Sequence, residues 1–293
     1  MPFETENYFA KLEAKRNAFM DVGRDVDTIV IGSSHGEYGI DPAFIDRSFN
    51  LCTISQDLSQ SAMMYAWAAR RNRHLRKVVV LYSLFSYGFD CLKTSEKGRA
   101  VFLRRAFGFG WPHHLDDLLW TMDLHIPWPD SSDIPPQMFN GFTRSNDVFF
   151  FAQDADQLAR RVARHIALSE QRYEGGEQFA RLAAILAFAK RRGDQVCVVI
   201  PPVRDDYRAA LPADLTLFQK VRALCERCDA RLVDEFSNDD YAGADFGDPD
   251  HLRPAGDGAR RLSERVGQGL RGRPSTWLGY RRALSRIRPP VRP

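Results

Sequence analysis

Two short stretches hold residue types suited to nucleophilic chemistry. The first is "DTIVIGSSHGEYGI", residues 27–40, where an apolar run ends in Gly32-Ser33-Ser34-His35-Gly36. The second is "FGDPDHLRPAGDGARRL", residues 246–262, with Asp248 and His251 at a D-x-x-H spacing. A serine hydroxyl is a weak nucleophile until an imidazole takes its proton, and a carboxylate usually orients that imidazole. A D-x-x-H turn lets the carboxylate reach back to Nδ1–H of its own histidine. Nε2 then faces outward. Asp250 competes for the orienting role, but neighbouring side chains in an extended loop point apart.

The chain has seven histidines, and the other six fit a base less well. His74 lies at a helix end beside arginines, and His165 lies mid-helix on a basic face. His113, His114 and His125 fall in a long irregular segment. His113 and His114 are adjacent, whereas metal-binding pairs on a helix are spaced by three or four. His35 adjoins Ser34, where side chains diverge. Five cysteines give an odd count, and Cys225 and Cys228 form a single CxxC. It closes a predicted helix and has no second ligand pair, so it reads as structural. No metal and no organic cofactor is expected.

Positioning residues 34 and 251 together needs a scaffold, and the apolar runs supply one. Strands are predicted at 27–32, 49–54, 77–84, 195–202 and 230–236. Helices are predicted at 42–49, 59–75, 154–173, 177–193, 215–228 and 254–270, and the N-terminus also reads as helical. Short continuous apolar runs separated by helices indicate a parallel sheet covered on both faces. The expected fold is α/β: a three-layer α/β/α sandwich with a flavodoxin-like, five-stranded parallel sheet. Ligands in such sheets bind at the carboxyl ends of the strands. Ser34 follows the first strand and His251 follows the fifth, so both belong at that edge.

Residues 85–176 break the rhythm, being far longer than a strand–helix connection needs. They are rich in aromatics, as in "FGFGWPHHLDDLLW" and "FNGFTRSNDVFFF". The expectation is a single domain, 1–293, with 85–176 as an insertion capping the carboxyl edge. Its aromatics build a satellite core or, as the sharper alternative, a cleft for sugar rings. The tail 271–293 is basic, and "RRALSRIRPPVRP" holds five arginines and no acid. It is either a solvated end or a peripheral contact with a membrane or an anionic glycan. The net charge of only +3 gives a nucleic-acid function no support. The N-terminus lacks an apolar leader, and no run of 18 apolar residues occurs. A cytoplasmic location is therefore expected, with thiols reduced.

The Gly-Ser-Ser turn after the first strand, with Asp-x-x-His-Leu before the last helix, resembles the SGNH (GDSL-like) hydrolase superfamily. The resemblance covers about residues 25–84 and 177–270. "IGSSHGEYGIDP" and "NLCTISQD" are most similar to a branch associated with bacterial cell-surface polysaccharide assembly and O-acetylation. The resemblance implies a Ser-His-Asp triad, with Ser34 as nucleophile, His251 as base and Asp248 as its orienting acid. Ser33 stands where the family carries aspartate. For the oxyanion hole it implies the Ser34 N–H, an N–H at Ser55 in place of the family's glycine, and an asparagine side chain. Gly32 opens the nucleophile turn. "LYSLFSY" after the third strand lacks the family's asparagine motif, and Asn146, in "SND" within the insertion, is the candidate replacement. The implied function is a serine esterase or O-acyltransferase acting on a carbohydrate ester, with an acylated carbohydrate or acyl donor as partner. The alternative is a non-catalytic binding or scaffolding protein of the same fold.

Two other readings of Gly32–Gly36 are weaker. The stretch fits the G-x-S-x-G elbow of α/β-hydrolases. However, it follows the first strand, and its acid and histidine lie three residues apart. As a nucleotide-binding turn, the stretch from Gly32 to Gly39 matches neither G-x-G-x-x-G nor G-x-x-x-x-G-K-[ST].

Overall fold

The computed structural model describes residues 2–109, 138–143, 154–254 and 256–271. Five strands, β1 (Thr28–Ile31), β2 (Ser48–Asn50), β3 (Lys77–Leu81), β6 (Gln195–Ile200) and β7 (Arg231–Asp234), form one sheet in the order β2-β1-β3-β6-β7. Every pairing in it is parallel, with Thr28 opposite Ser48 and Lys77, Lys77 opposite Gln195, and Cys197 opposite Arg231. This is the expected five-stranded, flavodoxin-like order, and helices flank the sheet as a three-layer α/β/α sandwich.

Continuous apolar strands work here because both faces are buried. Ile29, Ile31, Val78, Val80, Val196, Val198 and Ile200 point into one core. Val30, Val79, Leu81, Cys197 and Val199 alternate into the other. The larger core is covered by α1 (Pro2–Val22), α3 (Leu58–Arg71), α4 (Lys97–Phe107), α6 (Glu177–Arg192) and α8 (Gln219–Cys228). The smaller one is covered by α9 (Asp257–Arg271), which contributes Leu262, Val266 and Leu270. Each such fully buried side chain is worth about 1.5–3 kcal/mol of transfer free energy.

Local chemistry sets the element ends. Asp57 and Gln60 form a reciprocal capping box at the start of α3, and Asn72 ends it earlier than expected. Asp154 caps α5 (Ala155–Ala167) by accepting from Gln157 N–H at 2.7 Å. Helix α8 begins only at Gln219 because Phe218 has φ +59°. The expected helix 42–49 is a single 3₁₀ turn, Pro42–Phe44, followed by a turn at residues 45–47 and then by β2. Pro42 starts that turn, but the chain must be extended again by Ser48 to pair with Thr28. All five cysteines are free, and Cys225 is buried in the larger core.

Within 85–176, a hairpin of β4 (Met138–Phe139) and β5 (Phe142–Thr143) packs on the edge strand. Asn50 N–H donates to the Asn140 carbonyl at 2.9 Å. Residues 110–137 and 144–153 lie outside the described residues, as do His113, His114, His125 and Asn146. So does the basic tail from residue 272. Among the described residues no helix is long and apolar enough to cross a membrane.

Candidate active site

The turn after β1 is built around Gly32, whose φ is +141°. A Cβ there would lie 2.7 Å from Leu81 Cβ on the neighbouring strand, so only glycine fits. The chain then enters α2 (Ser34–Gly39) with Ser33 at its N-cap. Buried Asn50 holds this short helix: its amide donates to the carbonyls of Gly36 (2.8 Å) and Ile40 (2.7 Å), and its Oδ1 accepts from Cys52 N–H (2.9 Å). Helix α1 braces the same helix through Lys11, which pairs with buried Glu37 at 2.5 Å.

His251 is brought in by the loop between β7 and α9. Asp248 Oδ1 accepts from the backbone N–H groups of Asp250 (3.0 Å) and His251 (2.9 Å), which closes the turn. Arg204 N–H donates to the Pro249 carbonyl at 2.9 Å and pins the loop from outside. The ring therefore faces Ser34 across 217 residues of sequence. Ser34 Oγ stands 2.8 Å from His251 Nε2. His251 Nδ1 stands 2.9 and 3.0 Å from the Asp248 oxygens. Three residues expected to act together thus lie in one hydrogen-bonded chain, which has the geometry of an activated serine.

The surroundings of that chain hold groups the sequence reasoning did not select. His35 does not diverge from the site: it stacks on His251 with ring centroids 4.5 Å apart and 19° between planes. Its Nε2 is 3.3 Å from Asp250 Oδ2, and its Nδ1 is 2.9 Å from Ser83 Oγ. Asp250 turns toward His35 and leaves Nδ1 of His251 to Asp248, although its Oδ1 remains 3.6 Å from that atom. From α5, Arg161 contacts both Asp248 (2.8 Å) and Asp250. His165, one helical turn on, bonds Tyr207 Oη through Nδ1 at 2.8 Å. The i,i+4 spacing of Arg161 and His165 marks one helix face, but nothing in the sequence says which loop that face meets.

Charge distribution follows from burial and these contacts. Burial opposes charge on His251, but Asp248 and Asp250 outweigh it and raise its pKa above the ordinary value. Burial lowers that of His35, helped by neighbouring His251, and pushes His165 down to about 4. Burial would raise Asp250, but the charge of His251 and the hydrogen bond from His35 hold it well below the carboxylate range. His35, Asp250 and His251 offer donor atoms within 4.8 Å of one another. Their lone pairs are already committed to Arg161, Ser34 and Ser83, so the set does not read as a metal site. A cavity of about 10 Å³ behind His35 is lined by Ser83, His165 and Tyr207, among others. It has room for one water, not for an acyl group.

The expected oxyanion side is less built. Ser55 lies in the turn after β2 with φ +59°, and its hydroxyl donates to Glu96. Thr53 N–H donates to the Gly32 carbonyl at 3.1 Å, which packs this turn against the Ser34 turn. After β3, Ser83 N–H is taken by Ser86 Oγ at 2.9 Å. No protein-family model and no curated protein matches the sequence.

Proposed function

We propose that the chain is a serine esterase or O-acyltransferase acting on the ester of a carbohydrate, in the manner of the SGNH hydrolases it resembles. The observation that carries this reading is the chain Ser34 Oγ, His251 Nε2, His251 Nδ1, Asp248, with each link between 2.8 and 3.0 Å. His251 takes the Ser34 proton as Oγ attacks the acyl carbonyl. Its imidazolium then returns a proton to the leaving sugar oxygen, which gives an acyl-serine and a free alcohol. Water or a second sugar hydroxyl, deprotonated by the same ring, attacks the acyl-serine and releases Ser34. As the first residue of α2, Ser34 has an N–H with no intrahelical acceptor. That N–H and the Ser55 N–H are the proposed oxyanion donors, and Asn146 is a third. This chemistry needs no cofactor. The segment 85–176 acts as the cap that selects the acyl acceptor, and the basic tail contacts a membrane or an anionic glycan.

One observation favours a non-catalytic scaffold instead. The turn after β3, where the family places an asparagine, directs Ser83 to His35 and Ser86 to Ser83. Losing one oxyanion donor typically costs about 10²–10³ in rate. A fluorophosphonate probe separates the two readings. Wild type is expected to label in a time-dependent way and Ser34→Ala not at all. Equal labelling of both proteins, or of neither, overturns the proposal.

A further inference from the structure

Arg161 lies far in sequence from both halves of the site, yet its guanidinium reaches Asp248 at 2.8 Å and also Asp250. Both carboxylates stand on one side of one imidazole, 2.9 and 3.6 Å from His251 Nδ1. Two anions there would hold the ring protonated, and an imidazolium cannot accept the Ser34 proton. One nitrogen of the guanidinium, Nη1, makes both contacts and so bridges the two carboxylates.

We propose that Arg161 is a positioning residue for the His251 base: it fixes Asp248 on the ring and neutralises the second carboxylate, Asp250, that the fold places beside it. The inference rests on the esterase reading for its purpose, though its electrostatics can be measured without activity. Among the described residues, the groups facing His251 include Asp248 and Asp250 from its own loop, Ser34, His35 and Tyr38 from α2, and Arg161 and His165 from α5. Burial keeps His35 and His165 neutral and Tyr38 protonated. Arg161 is therefore the member of this set that is positive at neutral pH, and it opposes the carboxylates' pull on His251.

The test is Arg161→Gln, read two ways. One is the pH profile of kcat/KM for p-nitrophenyl acetate. The other is the ring ¹⁵N titration of His251 by NMR, assigned with His251→Gln. The acid limb and the ring titration should both move up by about one pH unit. The loss of rate should be concentrated at low pH, near tenfold on the limb. Asp250→Asn should move both downward, and Arg161→Lys should retain the wild-type limb more closely than Arg161→Gln. A ring titration that stays put in Arg161→Gln overturns the inference, as does a rate loss equal at every pH. If Arg161→Gln does not fold, Asp250→Asn decides alone: an unmoved or raised His251 titration overturns the inference. If wild type cleaves no ester while the ring titrations move as stated, the esterase reading fails and the electrostatic one stands.

Discussion

The two loops that flank Ser34 are built to different standards. The loop from Asp245 to Pro254 is closed on itself: Asp248 takes two backbone N–H groups, Gly247 N–H donates to the His251 carbonyl at 2.9 Å, and Arg253 N–H donates to that of Asp245. Arg161 locks its carboxylates from outside. The loop after β2 is held mainly through its neighbours, by Asn50 and by Lys15, whose buried ammonium donates to the Cys52 carbonyl at 2.5 Å. Ser55 sits there in a left-handed conformation that costs a non-glycine residue about 1–2 kcal/mol. In the proposed site the base half thus works through side chains, whereas the proposed oxyanion half, although side chains hold it too, works through backbone N–H groups. A side-chain change should therefore hurt one loop badly and the other little.

The largest contrast should come from Asp248→Asn. The amide leaves the volume in place but no longer fixes the tautomer of His251. kcat/KM for p-nitrophenyl acetate should fall by about 10³–10⁴, and a loss under tenfold would mean that Asp250 or Arg161 orients the ring instead.

The next effect concerns stability rather than rate. His165 has its folded pKa pushed down to about 4 from an ordinary 6.5. Between those values the unfolded chain binds more protons, so this residue removes stability as pH falls through that window. The stability advantage of wild type over His165→Gln should shrink by about 3 kcal/mol between pH 6.5 and 4. Denaturant melts at the two pH values check this, and a pH-independent difference would place His165 in a wetter environment than α5 gives it.

The smallest effect should be Ser55→Gly. Glycine relieves the left-handed backbone and loses the bond to Glu96, so stability should change by no more than about 1 kcal/mol. The backbone N–H remains, and kcat/KM should stay within about threefold. A loss of about 10² would move the contribution of Ser55 from its N–H to its hydroxyl.

The same contrast explains what was legible in the sequence. Continuous apolar runs such as "TIVI" and "VCVVI" announce buried parallel strands, and helices between them suggest a doubly wound sheet. Ser34 and the Asp248–His251 turn were legible because each is a local pattern with a local cause. The helix expected at 42–49 was not, because the pairing of Ser48 with Thr28 overrides a proline-led turn. Arg161, His35 and His165 were passed over because their roles depend on contacts distant in sequence, such as Arg161 with Asp250 and His35 with His251. A basic helix face looks the same in sequence whether it meets water or two buried carboxylates. Asp250 stands farther than Asp248 from His251 Nδ1, and its engagement with His35 and Arg161 has no local signature.

The central claim is that Ser34 is a nucleophile served by His251. The most direct measurement is peptide mapping by mass spectrometry after fluorophosphonate treatment of the native protein. One phosphonyl adduct is expected, on the peptide carrying Ser34, with labelling abolished in His251→Gln and in heat-denatured protein. An unmodified Ser34 under conditions that label a known serine esterase would contradict it, as would a Ser34 adduct that forms equally well without His251.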